Sequence, residues 1–436
     1  MKALIIAAGR GSRLKDFTDN EPKPLARLLG FSLIERVILT AREAGITEFV
    51  IVTGYLGGKI KTKLGNGKKY NVKINYIENK KWEKGNGISV LKGKDLINKK
   101  FVLLMTDHIF ESNTLKRLLK TKLSNKECIL VVDKVPKKHI DLNDATKVKI
   151  ENKKIVDTGK EIKDYNGIDC GMFLCNQSLF DALKKSIKKG DGTLTGGIRI
   201  LSEKGGMRYF DIKENFWIDI DTKEDFREAE KILCKRLTKL TDGPVSRFLN
   251  RPISIKISKL LIKTKLTPNS ISLFSFALCL LSSYFLSLGS YLHVVIGGLL
   301  SQSASIIDGC DGEVARLKFQ QTEYGAWFDT ILDRYADALI ILGLAYGLWR
   351  LHGNTMIWII GFIALAGSFM NSYTATKYDF IFKKSGKKPK VRIGRDIRLL
   401  LIMIGALSNQ IFYTLIILGI ITNAETIRRL YTLRKT

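Results

Sequence analysis

The chain has 436 residues, which is enough for two or three domains of ordinary size. Its formal net charge of +30 is compatible with nucleic acid, a membrane surface or phosphorylated small molecules as partners. The sequence contains no zinc-finger spacing, RNP pattern or basic run interleaved with aromatic residues, so we expect no nucleic-acid partner. Its six cysteines include no Cys-x-x-Cys pair, which argues against a disulfide framework and for free thiols in a reducing compartment.

The first part of the chain alternates short apolar runs with helical patterns. The apolar runs of strand length are residues 3–8, 48–53, 72–77, 101–106 and 128–133. A helical pattern over 31–44 separates the first two runs. This alternation predicts an α/β domain with a Rossmann-like, mostly parallel sheet, in which ligands collect at the carboxyl ends of the strands. We place this domain at residues 1–232, with a charged amphipathic helix over about 221–240 at its end.

The segment 233–269 is predicted to be a linker that contains an interfacial helix. A Thr-Asp-Gly-Pro break at 241–244 precedes a basic amphipathic stretch, residues 251–265, in which isoleucines and leucines alternate with lysines. Such a helix is expected to lie in the plane of the membrane interface. The alternative is an ordinary linker helix that belongs to the soluble domain.

Residues 270–436 are predicted to form an all-α transmembrane domain. The chain has no Asp, Glu, Lys or Arg from Leu266 to Ile307, and two later stretches are equally free of charge. About 20 helical residues cross the hydrocarbon core of a bilayer. The expected spans are 271–289, 291–307, 324–349, 356–376 and two more from 397 onward, with a turn around 408–410.

The number of spans follows from the distribution of positive charge. The loop at 377–398 and the tail at 428–435 are both strongly basic, and basic flanks mark the cytoplasmic side of a membrane. The last apolar stretch must then cross twice, which gives six spans. The sequence therefore predicts a multi-pass protein of the cell membrane, with the α/β domain and both termini in the cytoplasm.

A glycine-rich turn follows the first apolar run. It reads Ala-Ala-Gly-x-Gly-x-Arg, in which Gly9 and Gly11 allow the backbone to approach a phosphate closely. Arg13 and Lys23 add positive charge. The turn is not a Walker A loop, because no Gly-Lys-Ser/Thr follows, and it lacks the third glycine of a dinucleotide fingerprint. The pattern predicts a site for the phosphates of a nucleotide.

Together with Pro-Lys-Pro-Leu at 22–25, this turn resembles the sugar-1-phosphate nucleotidyltransferase family over roughly residues 1–230. The resemblance implies that Arg13 and Lys23 neutralise charge at the reacting phosphates. It also implies that Asp107 and Asp219 bind Mg²⁺ or Mn²⁺. The nucleotide-binding residues that it implies are Ala8, Gly9, Gly11, Gly85 and Asn86. The implied reaction is attack of a phosphomonoester oxygen on the α-phosphate of a nucleoside triphosphate, with pyrophosphate leaving.

Three positions near these residues keep simpler interpretations open. Asp107 follows a predicted strand, where a carboxylate can merely cap a turn. Asp221 stands where many members of the family have glycine, so its role is undetermined. His108 is expected to be an exposed turn histidine without a role in the site.

Four aspartates border a predicted span, namely Asp308, Asp311, Asp329 and Asp333. Their spacings of three and four residues place each pair on one face of a helix. A carboxylate at the centre of a span costs about 2.5–3.5 kcal/mol, whereas hard divalent cations prefer carboxylate ligands. The cluster therefore predicts a metal site. As alternatives, Asp308 and Asp311 would cap a helix and Asp329 would pair with Arg334.

The run Asp-x-x-Asp-Gly-x-x-Ala-Arg, eight residues, Gly-x-x-x-Asp-x-x-x-Asp resembles the CDP-alcohol phosphotransferase family, over about residues 250–436. The resemblance implies that Asp308, Asp311 and Asp329 bind Mg²⁺ or Mn²⁺. It also implies that Asp333 shares in ligation and acts as general base, and that the domain forms a homodimer. The residues implied to shape the CDP site are Gly312, Ala315, Arg316 and Gly325.

The basic loop before the last apolar stretch is a candidate site for the phosphate of an acceptor. Its candidate residues are Lys390, Arg392, Arg395 and Arg398. The alternative is a loop that is basic only because it lies on the cytoplasmic side.

The order of the two domains resembles the bifunctional family that joins an inositol-1-phosphate cytidylyltransferase to a di-myo-inositol-phosphate-phosphate synthase. The resemblance implies CTP and inositol-1-phosphate as substrates and CDP-inositol as the intermediate. It implies that CDP-inositol then reacts with a second inositol-1-phosphate, in the synthesis of a compatible solute. Two alternatives stay open: a CDP-alcohol-dependent phospholipid synthase with its own cytidylyltransferase, and a membrane binding protein with a decayed nucleotidyl domain.

Overall fold

The computed structural model describes residues 1–11, 21–137, 140–239, 242–384 and 393–434. The chain divides into two compact units, Met1–Leu233 and Cys234–Thr436. We call them the first unit and the second unit. All six cysteines are buried free thiols.

The first unit is an α/β domain. Its strands are β1 (Lys2–Ala7), β2 (Arg27–Leu28), β3 (Phe31–Ser32), β4 (Glu48–Thr53), β5 (Lys73–Glu78), β6 (Phe101–Met105), β7 (His108–Phe110), β8 (Cys128–Asp133), β9 (Lys147–Glu151), β10 (Lys154–Gly159), β11 (Gly167–Cys175), β12 (Met207–Asp211) and β13 (Trp217–Asp219). Its α-helices are α1 (Leu33–Glu43), α2 (Gly57–Leu64), α3 (Asn86–Lys92), α4 (Ser112–Leu119), α5 (Gln177–Lys188), α6 (Leu194–Glu203) and α7 (Lys223–Lys235).

Nine strands form one sheet in the order β5-β4-β1-β6-β11-β8-β12-β10-β9. The first four are parallel, whereas β11 runs antiparallel to β6 and β8, and β10 is antiparallel to both of its neighbours. The prediction of a mostly parallel sheet is therefore wrong for the half of the sheet from β11 to β9, where parallel and antiparallel pairs are mixed. The strands β9 and β10 form a hairpin whose two turn residues, Asn152 and Lys153, both have positive φ, as a type I′ turn requires.

The parallel half of the sheet brings two loops to one edge. The strands β1 and β6 are parallel neighbours, so the turn after Ala7 and the loop after Met105 leave the sheet on the same side. The two-stranded sheet of β7 and β13 pairs His108 with Asp219 across the strands. This pairing carries Asp219 from the end of the first unit to the loop that contains Asp107.

The second unit is helical. After a π-helical turn at Ser246–Asn250 its helices are α8 (Arg251–Leu261), α9 (Pro268–Ser287), α10 (Tyr291–Leu317), α11 (Glu323–His352), α12 (Met356–Lys384), α13 (Arg395–Leu407) and α14 (Ile411–Arg434). Within the described residues, three helical segments are long and apolar enough to cross a membrane: Pro268–Ser287, Met356–Tyr378 and Ile411–Thr432. The helices α10 and α11 are longer than α9, but they carry the four aspartates and are not among these three segments. The break between α13 and α14 falls at 408–410, where Asn409 has a φ of +53°.

Helix α8 packs on α10 through polar side chains. Glu313 of α10 is fully buried and accepts hydrogen bonds from Arg251 (2.6 Å), Ser254 (2.6 Å) and Ser258 (2.7 Å). Apolar residues of α8 and of the turn before it lie on the outside, and Leu260 is 66% exposed. An apolar outer face beside lysines is what an interfacial helix presents to a membrane.

Two candidate active sites

The glycine-rich turn and Lys23 form one wall of a cavity in the first unit. Gly11 has a φ of +63°, and a Cβ atom there would clash with the Cβ of Lys23, so only glycine lets the two segments approach this closely. The cavity, of about 310 Å³, is also lined by Gly9, Asn86 and Asp107. Ala8 is buried at the end of β1. Arg13 lies outside the described residues.

Lys23 is buried between carboxylates. Its Nζ donates hydrogen bonds to Oδ2 of Asp107 (2.8 Å) and to Oδ1 of Asp221 (2.7 Å). Burial lowers the pKa of Lys23, but the carboxylates of Asp107, Asp219 and Asp221 outweigh this effect and raise that pKa above its ordinary value. The ammonium group therefore stays charged. The structure also gives Asp221, whose role the sequence left open, a position as the second partner of Lys23.

Asp107, His108 and Asp219 bring one potential ligand atom each to within 4.8 Å of one another. Burial raises the pKa of Asp219 to about 7, and its buried Oδ1 accepts no hydrogen bond from any described residue. Burial also opposes ionisation of Asp107, but Lys23 and His108 hold the pKa of that carboxyl well below its usual range. A buried carboxylate oxygen without a donor is a suitable ligand for a hard divalent cation. The residues present thus fit the predicted metal.

His108 is not the exposed turn histidine that we expected. Its Nδ1 lies 3.0 Å from Oδ1 of Asp107 and 3.7 Å from Oδ1 of Asp219. Burial lowers the pKa of His108, but Asp219 and Asp107 outweigh it and raise the pKa to about 9. The imidazole stacks on Trp217, whose Nε1 donates to Asp133 (2.8 Å). The only signal in the sequence was its place directly after Asp107 at the end of a strand.

Gly85 and Asn86 lie where the loop before α3 meets the start of α6. Gly85 has a φ of +115°, and a Cβ there would lie 2.5 Å from the carbonyl oxygen of Gly192. Oδ1 of Asn86 accepts a hydrogen bond from the backbone N–H of Leu194 (2.8 Å). A second cavity, of about 530 Å³, adjoins the first and shares Asn86, Asp107 and Asp221 with it. Its other polar lining residues include His108, Asp144, Thr146, Lys160, Asp169 and Asp219.

Three of the four aspartates in the second unit converge. One carboxylate oxygen each of Asp308, Asp329 and Asp333 lies within 4.8 Å of the others. We call these three residues the aspartate cluster. Asp311 is not in this group. Its Oδ2 accepts a hydrogen bond from Ser272 of α9 (2.5 Å), and its carboxyl group also contacts that of Asp329. A group of three carboxylates fits a divalent cation. It contains Asp333 and not Asp311, whereas the sequence predicted Asp308, Asp311 and Asp329 as the main ligands.

An arginine from α13 reaches this cluster. Nη1 of Arg395 lies 3.2 Å from Oδ2 of Asp308 and 2.5 Å from Oδ1 of Asp333. Arg398 is buried and its Nη2 lies 2.6 Å from Asp337, a residue that sequence reasoning missed. Asp337 extends the four-residue spacing of the two preceding aspartates, which was the available signal. Lys390 and Arg392 lie outside the described residues.

The small residues predicted to shape the CDP site lie on α10 and α11 beside the cluster. A Cβ on Gly325 would lie 3.2 Å from Oδ1 of Asn269, and one on Gly312 would lie 3.3 Å from Nη1 of Arg316. Ala315 is half-buried on α10. Nη2 of Arg316 donates to the backbone oxygen of Leu237 (2.9 Å).

The predicted alternative pairing of Arg334 is not what the described residues show. Nη2 of Arg334 lies 3.5 Å from Asp333, its own neighbour in sequence, instead of pairing with Asp329. Asp329 is therefore left to the aspartate cluster.

Comparisons with known proteins match the two units separately and together. A family model described as nucleotidyl transferase matches residues 2–236, and one described as CDP-alcohol phosphatidyltransferase matches residues 265–424. A relative from Rubrobacter xylanophilus, named "Bifunctional IPC transferase and DIPP synthase", is 36% identical over 99% of this chain and 96% of its own length. The chain belongs to this bifunctional family. It is an enzyme with a nucleotidyltransferase domain and a membrane-associated CDP-alcohol phosphotransferase domain.

Other members of the family show the same full-length similarity. The Aquifex aeolicus protein of the same name is 35% identical over 99% of this chain and 98% of its own length. A solved structure of the inositol-1-phosphate CTP transferase from T. maritima matches 51% of this chain and 90% of its own, with 29% identity and a TM-score of 0.46. The nucleotidyl transferase model covers Lys23, Asp107 and Asp219, and the other model covers the aspartate cluster.

Proposed function

We propose that the chain catalyses two consecutive transfers. In the first, CTP and inositol-1-phosphate give CDP-inositol and pyrophosphate. In the second, CDP-inositol and another inositol-1-phosphate give di-inositol phosphate phosphate and CMP, a step in the synthesis of a compatible solute. The observation that carries the proposal is full-length similarity to proteins named for both activities, combined with a separate acidic site in each unit.

At the first site, the turn at Gly9–Gly11 and Lys23 hold the phosphates of CTP. A phosphate oxygen of inositol-1-phosphate attacks the α-phosphate in line, and pyrophosphate leaves. This chemistry needs alignment and neutralisation of charge more than a protein nucleophile. Lys23 supplies a fixed charge, because two carboxylates hold it in place. We assign Arg13 to the same task from the sequence pattern.

The two carboxylates of the first site would hold the metal ion. Asp107 and Asp219 would bind Mg²⁺ or Mn²⁺, which supplies further neutralisation of the triphosphate when bound. The cavity that adjoins the first is the natural place for inositol-1-phosphate, because it shares Asp107 and Asp221 with the nucleotide cavity. Gly85 and Asn86 would lie beside the base and ribose.

At the second site, a hydroxyl group of the acceptor attacks the β-phosphate of CDP-inositol, and CMP leaves. The attacking hydroxyl must lose its proton, and an oxygen of Asp333 accepts it. Asp308, Asp311 and Asp329 would hold Mg²⁺ or Mn²⁺, with Asp333 sharing in ligation, and the ion supplies stabilisation of the leaving phosphate when bound. The CDP group would lie against Gly312, Ala315, Arg316 and Gly325.

A phosphorylated acceptor accounts for the arginine beside the aspartate cluster. The guanidinium of Arg395 is the described group best placed to bind the acceptor's phosphate, since its Nη1 already lies among the carboxylates. Arg398 would act indirectly, because its Nη2 contacts Asp337, which in turn contacts Arg395. Lys390 and Arg392 belong to the proposed set on the grounds of sequence alone.

We also propose six spans, formed by α9–α14, with the first unit and both termini in the cytoplasm and a homodimer through the second unit. The basic segments on both sides of the last apolar stretch support this topology, as does the helix break at 408–410. Reporter fusions at the C-terminus test it. A cytoplasmic reporter is expected, and an external one would contradict the hairpin of α13 and α14.

The reactions can be tested together. Purified full-length protein is incubated with CTP, Mg²⁺ and a panel of alcohol phosphates, and the products are identified by phosphorus NMR. We expect CDP-inositol, pyrophosphate and CMP from inositol-1-phosphate. Failure to form CDP-inositol from this substrate would overturn the first step, and a lipid product in added vesicles would reassign the second.

A further inference from the structure

We propose that Asp337 is a positioning residue of the second transfer. It holds Arg395 so that one end of the guanidinium lies beside the aspartate cluster, in position to bind the phosphate of the acceptor. The inference rests on the proposed function, and it assigns a role to a residue outside the four-aspartate motif.

Both oxygens of Asp337 face arginines of α13. Its Oδ1 accepts a hydrogen bond from Nε of Arg395 (3.1 Å), and its Oδ2 accepts one from Nη2 of Arg398 (2.6 Å). Asp337 lies on α11, four residues after Asp333, so the two side chains share one face of the helix. It is 4% exposed. A carboxylate whose two oxygens are already taken by arginines is poorly placed to ligate a metal.

The surrounding residues tie the same group to a third helix. Ser368 of α12 donates to Oδ2 of Asp337 (3.3 Å), and Nη2 of Arg398 also contacts Oγ of Ser372 (3.4 Å). Asp337 thus joins α11, α12 and α13 about one helical turn from Asp333 of the cluster. A buried charge held by several partners has one preferred geometry, and removing one partner leaves the others unpaired.

The two ends of the Arg395 guanidinium have different neighbours. Nε is fixed by Asp337, while Nη1 lies among Asp308 and Asp333 but makes no well-aligned hydrogen bond with any described residue. A guanidinium binds phosphate best when two of its N–H groups are aimed together, which requires the plane of the group to be fixed. Asp337 fixes that plane together with Cys279 of α9, whose Sγ accepts a hydrogen bond from Nη2 of Arg395 (3.6 Å).

The inference predicts a specific defect in recognition of the acceptor. In Asp337→Asn the anchoring charge is lost, so we expect the KM for inositol-1-phosphate in the second reaction to rise on the order of tenfold or more. The KM for CDP-inositol and the rate of the first reaction should stay unchanged. The preference for inositol-1-phosphate over unphosphorylated inositol as acceptor should fall by the same factor, which a general loss of folded protein does not produce.

Glu425→Gln is a matched control. Glu425 is also a buried carboxylate that binds two arginines, Arg428 and Arg429, but it does so within α14. Its loss should lower stability without changing the preference between the two acceptors. Arg395→Lys should reproduce the loss of preference, and it provides the same test if Asp337→Asn does not fold.

The measurement uses full-length protein in vesicles, supplied with CDP-inositol and either acceptor, with CMP release as the readout. An unchanged preference in both Asp337→Asn and Arg395→Lys would overturn the inference, as would an equal loss of affinity for CDP-inositol. A wild-type protein that releases no CMP would instead contradict the proposed function.

Discussion

Lys23 shows how a few contacts define the first site. The side chain is buried, yet it keeps its charge because Asp107 and Asp221 each accept a hydrogen bond from it. Asp219 also acts on Lys23 electrostatically, so one ammonium group faces three carboxylates. The proposed binding of a triphosphate adds further negative charge here, which the proposed metal ion would offset.

Gly171 provides a test of how His108 is held. Its φ is +67°, and a Cβ there would lie 2.5 Å from Cδ2 of the imidazole. Gly190 also has positive φ, +92°, but it has open space around it. Alanine at either site introduces backbone strain. Only Gly171→Ala also adds a clash, which should destabilise the first unit by roughly 1–3 kcal/mol more.

The comparison is made on the heat inactivation of CTP turnover. We expect Gly171→Ala to lose its activity at a clearly lower temperature than Gly190→Ala. Equal losses in the two variants would show that the imidazole is free to move aside, so that the packing of Gly171 does not fix His108 beside Asp107 and Asp219.

Sequence motifs predicted Lys23, Asp107 and Asp219, and the structure brings them together. They did not predict the places of Asp221 and His108, because these depend on the pairing of β13 with β7 across more than a hundred residues. Asp337 was missed for a related reason. Its spacing was visible in the sequence, but its partners come from α13, which is distant along the chain.

At the scale of single elements, the start of α1 makes stability depend on pH. Glu35 forms a capping box with Ser32 and accepts a hydrogen bond from Tyr70 (2.6 Å). Burial opposes its charge, but the hydrogen bonds from Tyr70 and Ser32 outweigh it and lower the pKa of Glu35. A lowered pKa stabilises the fold above the unfolded-state pKa, and this contribution is lost as the pH falls through the folded-state pKa.

Glu35→Gln should therefore be less stable than the wild type at pH 7, and the difference should shrink as the pH falls below about 4. The measurement is the midpoint of unfolding of both proteins across that range. A difference that is the same at pH 7 and at pH 3 would show that the charge of Glu35 contributes nothing to stability.

The docking of α8 on α10 gives a second prediction for an element. Glu313→Ala leaves Arg251 with Asp242 and the backbone oxygen of Gly309, and it removes the carboxylate that accepts from Ser254 and Ser258. Breaking a buried ion pair of this kind costs about 3–5 kcal/mol. The thermal stability of the protein in detergent should fall accordingly. The double variant Arg251→Ala, Glu313→Ala should recover part of the loss, and strictly additive effects would contradict the pairing.

The boundaries of elements were predicted well where burial gives a continuous apolar run. The strands at Glu48–Thr53 and Cys128–Asp133 begin and end as predicted, and α9 to α12 begin within a few residues of the expected spans. The hairpin of β9 and β10 was not recognised, because hairpin strands expose one face and alternate in polarity. The mixed character of the sheet follows from these strands and from β11.

At the scale of the whole molecule, the distribution of charged and apolar residues along the sequence separates an α/β unit from a helical one. Three described helical segments are both long and apolar enough to cross a membrane. The helices α10 and α11 are long enough but carry carboxylates, and α13 has only 13 residues. Those carboxylates are the ones to which we assign the second reaction. The proposed function thus gives a physical reason for helices that are long enough to cross a membrane but carry acidic residues.

The proposal that one chain makes CDP-inositol and then consumes it is best examined with Asp333→Asn. Full-length variant protein is supplied with CTP, Mg²⁺ and inositol-1-phosphate, and the products are followed by phosphorus NMR. Because Asp333 lies only in the second site, we expect CDP-inositol to accumulate in equal amounts with pyrophosphate, without CMP. Continued formation of CMP and the di-inositol product, or loss of CDP-inositol formation in a folded variant, would contradict two separate sites with these roles.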